Sequence, residues 1–119
     1  MSTTDATGGQ RATVGLTDVG RAALSRIMEH KWFSSGDSAF RSAVAFAIAN
    51  DIHPAEAGHF ETVWNVGTID KGGDFRATVE MAVGRPVQWD ELQRLGDAGL
   101  RELAKRAEFT EYPAQALLG

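Results

Sequence analysis

The chain has 119 residues, of which 43% are hydrophobic and 24% are charged, and these proportions are ordinary for a single soluble globular domain. The formal net charge of −4 argues against a protein that coats nucleic acid through bulk positive charge. The absence of cysteine excludes disulfides and thiolate metal sites and fits a reducing cytoplasm. The longest apolar run, seven residues, is too short to span a membrane.

The N-terminal region is predicted to contain an arm and a short strand. Residues 1–9 are small and polar, which is typical of a flexible arm. Residues 10–16 alternate with a period of two, which indicates a β-strand. Its apolar face is Ala12, Val14 and Leu16, and its outward face is Arg11, Thr13 and Gly15.

A first helix is predicted directly after this strand. Thr17 is placed to cap its N-terminus, and Asp18 adds a negative charge to the first turn, where the helix dipole favours one. The helix is expected to end near Lys31. Helical spacing predicts an apolar stripe that faces the core: Val19, Ala23, Leu24, Ile27 and Met28.

Ser35 or Asp37 is predicted to cap the second helix, which runs to about residue 51. Residues 43–49 carry no polar side chain, and Phe46 projects about 160° from Ile48 around the helix. Apolar side chains on two sides predict burial on both sides, and a chain of this length can barely supply both walls. We therefore predict a homodimer or higher oligomer with these interface residues: Val14, Phe40, Val44, Phe46, Ala47 and Ile48.

The region after the second helix is predicted to alternate between irregular and helical segments. Pro54 ends the second helix, since the residue before proline avoids the α region. Residues 61–69 are expected to be extended or irregular, and residues 70–73 form a turn. A short helix is predicted over residues 74–83, with Gly84 directly after it.

The last predicted helix covers residues 88–108. Gly96 and Gly99 lie within it, and each costs about 1 kcal/mol relative to alanine. They either admit a neighbouring backbone or mark a bend. The predicted fold class is mainly α, with a short N-terminal β-strand followed by a helical bundle.

The order of strand, helix, short turn and apolar helix carries a family resemblance. Residues 11–49, RATVGLTDVGRAALSRIMEHKWFSSGDSAFRSAVAFAIA, resemble the ribbon-helix-helix DNA-binding dimers. Such proteins pair their strands into a ribbon that enters the major groove. The resemblance implies a single domain over residues 10–119, in which residues 10–52 form the oligomerisation core and residues 53–119 a helical extension.

The resemblance implies DNA contacts in two places. The outward strand residues Arg11, Thr13 and Gly15 would read bases. The start of the second helix, at Ser35 and Ser38, would seat a phosphate on its free amides. Arg21, Arg26 and Lys31 share the outer side of the first helix, where the alternatives are phosphate contact and a solvated face.

A second resemblance is to the small helical protein of bacterial DNA-phosphorothioation (DndE-type) complexes. It depends on the segments FRSAVAFAIAND and TVWNVGTIDKGGDF. This resemblance implies an accessory subunit of a DNA-modification or phage-defence system, whereas the first implies a transcriptional regulator or antitoxin.

The competing interpretation is an acidic protein–protein interaction module that contacts no nucleic acid. Residues 37–119 hold 8 bases and 13 acids, a balance of −5. Gly15 offers no side chain to a base, and Asp37 would repel a phosphate. In this interpretation the core only forms oligomers, and residues 53–119 recruit a partner protein.

The segment HPAEAGHFE holds the densest group of candidate metal ligands: His53, Glu56, His59 and Glu61. It lacks the HExxH spacing that places two imidazoles one helical turn apart, and the polarity of a loop near proline explains the same residues. No cofactor and no catalytic motif is predicted. Trp64 and Trp89 are interpreted as core or interface anchors.

Overall fold

The computed structural model describes residues 13–110, so the predicted arm and Arg11 lie outside the described residues. The described chain is mainly helical with one small sheet, which confirms the predicted fold class. Its elements are β1 Thr13–Leu16, α1 Asp18–Glu29, α2 Gly36–Ala49, β2 Glu61–Asn65, α3 Val66–Ile69, a 3₁₀ turn Lys71–Gly73, α4 Asp74–Val83 and α5 Trp89–Ala107.

The helix boundaries follow from capping residues that the sequence identifies. The Thr17 hydroxyl accepts a hydrogen bond from the Gly20 N–H at 3.0 Å, and the Ser35 hydroxyl accepts one from the Ser38 N–H at 3.4 Å. Each satisfies an amide that has no partner within its helix. Gly84, with φ 77°, ends α4 in the left-handed conformation.

The strand β1 finds its partner within the same chain. It pairs with β2 in an antiparallel sheet, with Thr13 opposite Asn65 and Leu16 opposite Glu61. A bulge interrupts the register between Val14 and Gly15. Because β2 supplies these backbone partners, β1 does not require the strand of a second copy.

The helix α5 forms the centre of the described core and packs against both α1 and α2. At Gly99 an added Cβ would lie 2.2 Å from the Ala43 carbonyl oxygen, and at Gly96 it would lie 2.1 Å from the Phe40 ring. The two glycines therefore admit α2 at close range, the first of the two predicted alternatives.

The helix α2 is covered on both sides by its own chain. Phe40, Val44 and Ala47 are fully buried, and Ile48 is half-buried. Phe46 is 3% exposed, and the Arg106 guanidinium lies 4.7 Å from its ring centroid. The prediction that a second copy must cover this helix is therefore wrong.

The same finding removes the predicted interface as a docking surface. Val14 is also fully buried, so five of the six predicted interface residues are buried within one chain and the sixth is half-buried. One hydrophobic cluster joins residues from both the predicted core and the predicted extension. No helix among residues 13–110 is both long and apolar enough to cross a bilayer.

Candidate functional site

Two of the three residues predicted to read bases, Thr13 and Gly15, lie in β1, and neither is exposed. Gly15 is buried, and an added Cβ would lie 2.5 Å from the Glu61 carbonyl oxygen. Its N–H donates to Gln93 Oε1 of α5 at 2.8 Å. Thr13 is half-buried, and its hydroxyl accepts a hydrogen bond from the Thr62 hydroxyl at 3.3 Å. The prediction that Gly15 faces outward is wrong, because β1 lies between β2 and α5.

The predicted phosphate site at the start of α2 carries a negative charge. Ser35 caps the helix, and Ser38 donates its backbone N–H to that cap. The Ser35 side-chain hydrogen bond, and then Arg41, hold the pKa of Asp37 below its ordinary value. An ionised carboxylate beside the free amides opposes the binding of a phosphate.

Most positive charges within residues 13–110 lie beside a negative charge. Lys31 is exposed at the end of α1, whereas the arginines have acidic partners. Every arginine within residues 13–110 forms an ion pair: Arg21–Glu61, Arg26–Glu108, Arg41–Asp37, Arg76–Glu80, Arg85–Glu91, Arg94–Asp90, Arg101–Asp97 and Arg106–Glu102.

A buried polar network joins α5 to the start of α1. Asp97 is fully buried and accepts hydrogen bonds from the Thr17 N–H at 2.9 Å and from the Thr17 hydroxyl at 3.0 Å. Arg101 pairs with the same carboxylate at 2.7 Å. Gly20 makes room for it, because an added Cβ there would lie 1.8 Å from Asp97 Oδ1. This network fixes the helix start against α5.

Sequence reasoning missed this network. Gln93, Asp97 and Arg101 follow one another at intervals of four, so they lie on one side of α5. That spacing was the available signal, but it is equally typical of a solvated helix face. Whether this side of α5 is buried depends on its contacts with β1 and α1, which the local sequence pattern does not identify.

The candidate site is a surface on α1 that no other part of residues 13–110 covers. We define the outer face of α1 by its exposed residues: Asp18, Val19, Arg21, Ala22, Ser25, Arg26 and Glu29. Val19 is 59% exposed, so its predicted place in the buried stripe is wrong. Gly20, packed on Asp97, is buried in this turn instead.

Two open grooves flank this outer face. One, of about 440 Å³, lies between α1 and α5, and Val19, Ala22, Ala23 and Ala104 contribute to its lining. The other, of about 420 Å³, lies between α1 and β2 and includes the 37% exposed Val63. Ala22 lines both grooves. The outer face of α1 thus lies between two open grooves, with the small residue Ala22 at its centre.

The candidate metal ligands are not brought together. Within residues 13–110 no group of three or more histidines and acids could hold a metal ion. His59 and Glu61 lie 3.9 Å apart as an exposed pair, and His53 and Glu56 line a different groove beside α5.

Both tryptophans act as predicted: Trp89 is buried, and Trp64 packs on Phe40 with ring centroids 5.2 Å apart.

Comparison with known proteins adds no relative. No protein family, no curated protein and no solved structure matches the chain. The resemblances to ribbon-helix-helix and DndE-type proteins therefore stay predictions from the sequence.

Proposed function

We propose that the chain is a protein-interaction module that binds its partner through the outer face of α1 and makes no contact with nucleic acid. This function is the competing interpretation from the sequence, except that the partner-binding surface lies on α1 and not in residues 53–119. The sequence places partner binding in residues 53–119, whereas the surface proposed here, with the exposed Val19 and an open groove on either side, lies on α1.

The observation that carries this proposal is the pairing of all eight described arginines with carboxylates. A protein that binds duplex DNA gains most of its affinity by neutralising phosphates with lysine and arginine. An arginine already held by an acid brings little net positive charge to that surface. The position of β1 supports the same conclusion, because its backbone is bonded to β2 and α5.

Fluorescence anisotropy with a labelled duplex, over a series of salt concentrations, tests the exclusion of DNA. We expect no binding by the full chain even at low salt. Phosphate-driven binding at low salt, with an affinity that falls steeply as salt rises, would contradict the proposal. A basic DNA-binding domain measured in the same buffers serves as the positive control.

The second candidate function is DNA binding of the ribbon-helix-helix type, as a regulator, an antitoxin or an accessory subunit. Three cations that line one groove, Arg26, Arg101 and Lys105, favour it. If this function is correct, Arg11→Ala should lower discrimination between DNA sequences by about 1–3 kcal/mol, because arginine reads guanine through two hydrogen bonds. In the interaction module the same variant leaves the anisotropy unchanged.

A further inference from the structure

The outer face of α1 has a charge pattern that is complementary to itself. Asp18 precedes Ala22 by four residues and Arg26 follows it by four, so the three lie along one stripe of the helix. All three are exposed. A two-fold axis through Ala22 would place each Asp18 opposite the Arg26 of a second, antiparallel helix, whereas a parallel helix would oppose like charges.

The shape of this surface suits such a helix. Ala22 is small, so two helices can approach closely where they cross. Val19 and Val63 would then be removed from water in the grooves on either side. Arg26 also pairs with Glu108 at 2.7 Å, but both side chains are more than half exposed, and such a pair competes weakly.

Two other surfaces of the described chain, those of α2 and β2, are poorer candidates for contact with a second copy. The large apolar side chains of α2 are already buried or half-buried. The strand β2 has no third strand beside it within residues 13–110, but a bulge lies where Val63 has no residue opposite it. Bulges at sheet edges hinder the addition of another strand.

We propose that the partner bound by the outer face of α1 is a second copy of the chain, in an antiparallel α1–α1 homodimer centred on Ala22. The proposal rests on the proposed function and names its partner. The interface is isologous, so Asp18 and Arg26 each contribute twice. It replaces the oligomer interface that the sequence placed on α2.

Sedimentation velocity of the full chain over a wide concentration range tests the homodimer. We expect dimers that dissociate on dilution. Ala22→Arg should raise the dissociation constant at least about tenfold, since it places two like charges at the axis. Ser34→Arg is the matched control, because it adds the same charge at an exposed position outside the helix and should leave the constant unchanged. Unchanged circular dichroism and melting temperature show that the variants fold.

Exchanging the charges at positions 18 and 26 distinguishes this interface from any other. Asp18→Arg and Arg26→Asp should each weaken self-association, because each opposes like charges across the axis. An equimolar mixture of the two variants should form heterodimers, since opposite charges then face each other at both ends. The double variant should likewise restore the homodimer.

Two results would overturn the homodimer. One is a chain that stays monomeric at its highest soluble concentration. The other is a dimer that Ala22→Arg and both charge variants leave unchanged, since its interface would then lie elsewhere. Salt-sensitive DNA binding would overturn the proposed function but not the homodimer, because sedimentation without DNA measures self-association alone.

Discussion

Two consecutive helices of the described chain, α4 and α5, are held in place by different means. The helix α5 buries 12 of its 19 residues, and its glycines and polar side chains contact β1, α1 and α2 at close range. In contrast, α4 buries only Val79 of its ten residues, and Met81 on the same helix is 83% exposed. The position of α5 is therefore fixed by side-chain packing, whereas α4 is held by other contacts.

Contacts and backbone conformation at its two ends hold α4 in place. Asp70 accepts hydrogen bonds from the Phe75 and Arg76 N–H groups at 2.8 and 3.3 Å, which caps the start of α4. Gly84 ends the helix with a positive φ. Losing one helix cap costs about 1 kcal/mol, whereas breaking a buried charge network costs several. Substitutions in the two regions should therefore differ in size, and the predictions below begin with the largest effect.

The largest effect is expected from Asp97→Ala. The substitution leaves the Thr17 N–H and the Arg101 guanidinium without their shared carboxylate. We expect a loss of about 3 kcal/mol in the free energy of unfolding, because breaking a buried pair strands its partner. Urea denaturation followed by circular dichroism measures it. Asp90→Ala is the matched control: Asp90 also pairs with an arginine four residues later on α5, but it is about half exposed.

Equal losses from Asp97→Ala and Asp90→Ala would contradict the role assigned to the buried network of α5. They would mean that the buried carboxylate contributes no more than a surface pair. We expect the control to cost only about 0.3–0.5 kcal/mol, since its pair is exposed to solvent.

A smaller effect is expected from Gly99→Ala. The new methyl group would lie 2.2 Å from the Ala43 carbonyl oxygen, so α2 and α5 must move apart. Overpacking costs about 1–3 kcal/mol, and the gain of about 1 kcal/mol in helix propensity offsets part of it. We expect a net loss of up to about 2 kcal/mol, measured by urea denaturation. Gly67→Ala is the control, because an added Cβ there meets no described atom within 4 Å. A stabilised Gly99→Ala would contradict the close packing.

Local patterns predicted the helices well. Thr17 and Ser35 cap the two helices as expected, and Gly84 ends α4, since capping depends on residues close in sequence. The pairing of β1 with residues 61–65 was not predicted. A strand partner 45 or more residues away leaves no mark on local periodicity.

The candidate site was harder to predict than the fold. Val19 has the spacing of a core residue but is exposed, because α5 packs on the neighbouring side of α1, where Gly20 meets Asp97. Periodicity defines an apolar stripe only to within about one residue position, roughly 100° of helix. Which edge of that stripe is covered depends on tertiary packing.

In the α4 region, Gly84→Ala should cost about 1 kcal/mol. Gly84 has φ 77° and open space around its Cα, so the penalty comes from backbone conformation and not from packing. Gly84→Asn should cost less, since asparagine tolerates the left-handed region. Thermal denaturation of both variants measures the difference. Equal melting temperatures for the two variants would indicate that conformation at this position has little effect on stability.

The smallest effect concerns the ion pair that links the two regions. Arg85, just after α4, donates to both carboxylate oxygens of Glu91 on α5 at 3.0 and 2.6 Å, and this hydrogen bonding lowers the pKa of Glu91. A lowered pKa in the folded state stabilises the protein above the ordinary carboxyl pKa, and this contribution is lost as pH falls through the lowered pKa of Glu91.

Arg85→Gln should therefore raise the pKa of Glu91 toward its ordinary value and reduce the loss of stability between neutral and acidic pH. NMR titration of the Glu91 side-chain carboxyl measures the pKa directly. Arg94→Gln is the control, because Arg94 acts on Glu91 only through a weaker charge interaction and should shift the pKa less. If the two variants shifted it equally, the link between α4 and α5 would depend on general charge and not on the paired hydrogen bonds. The α4 region would then be positioned by its caps alone.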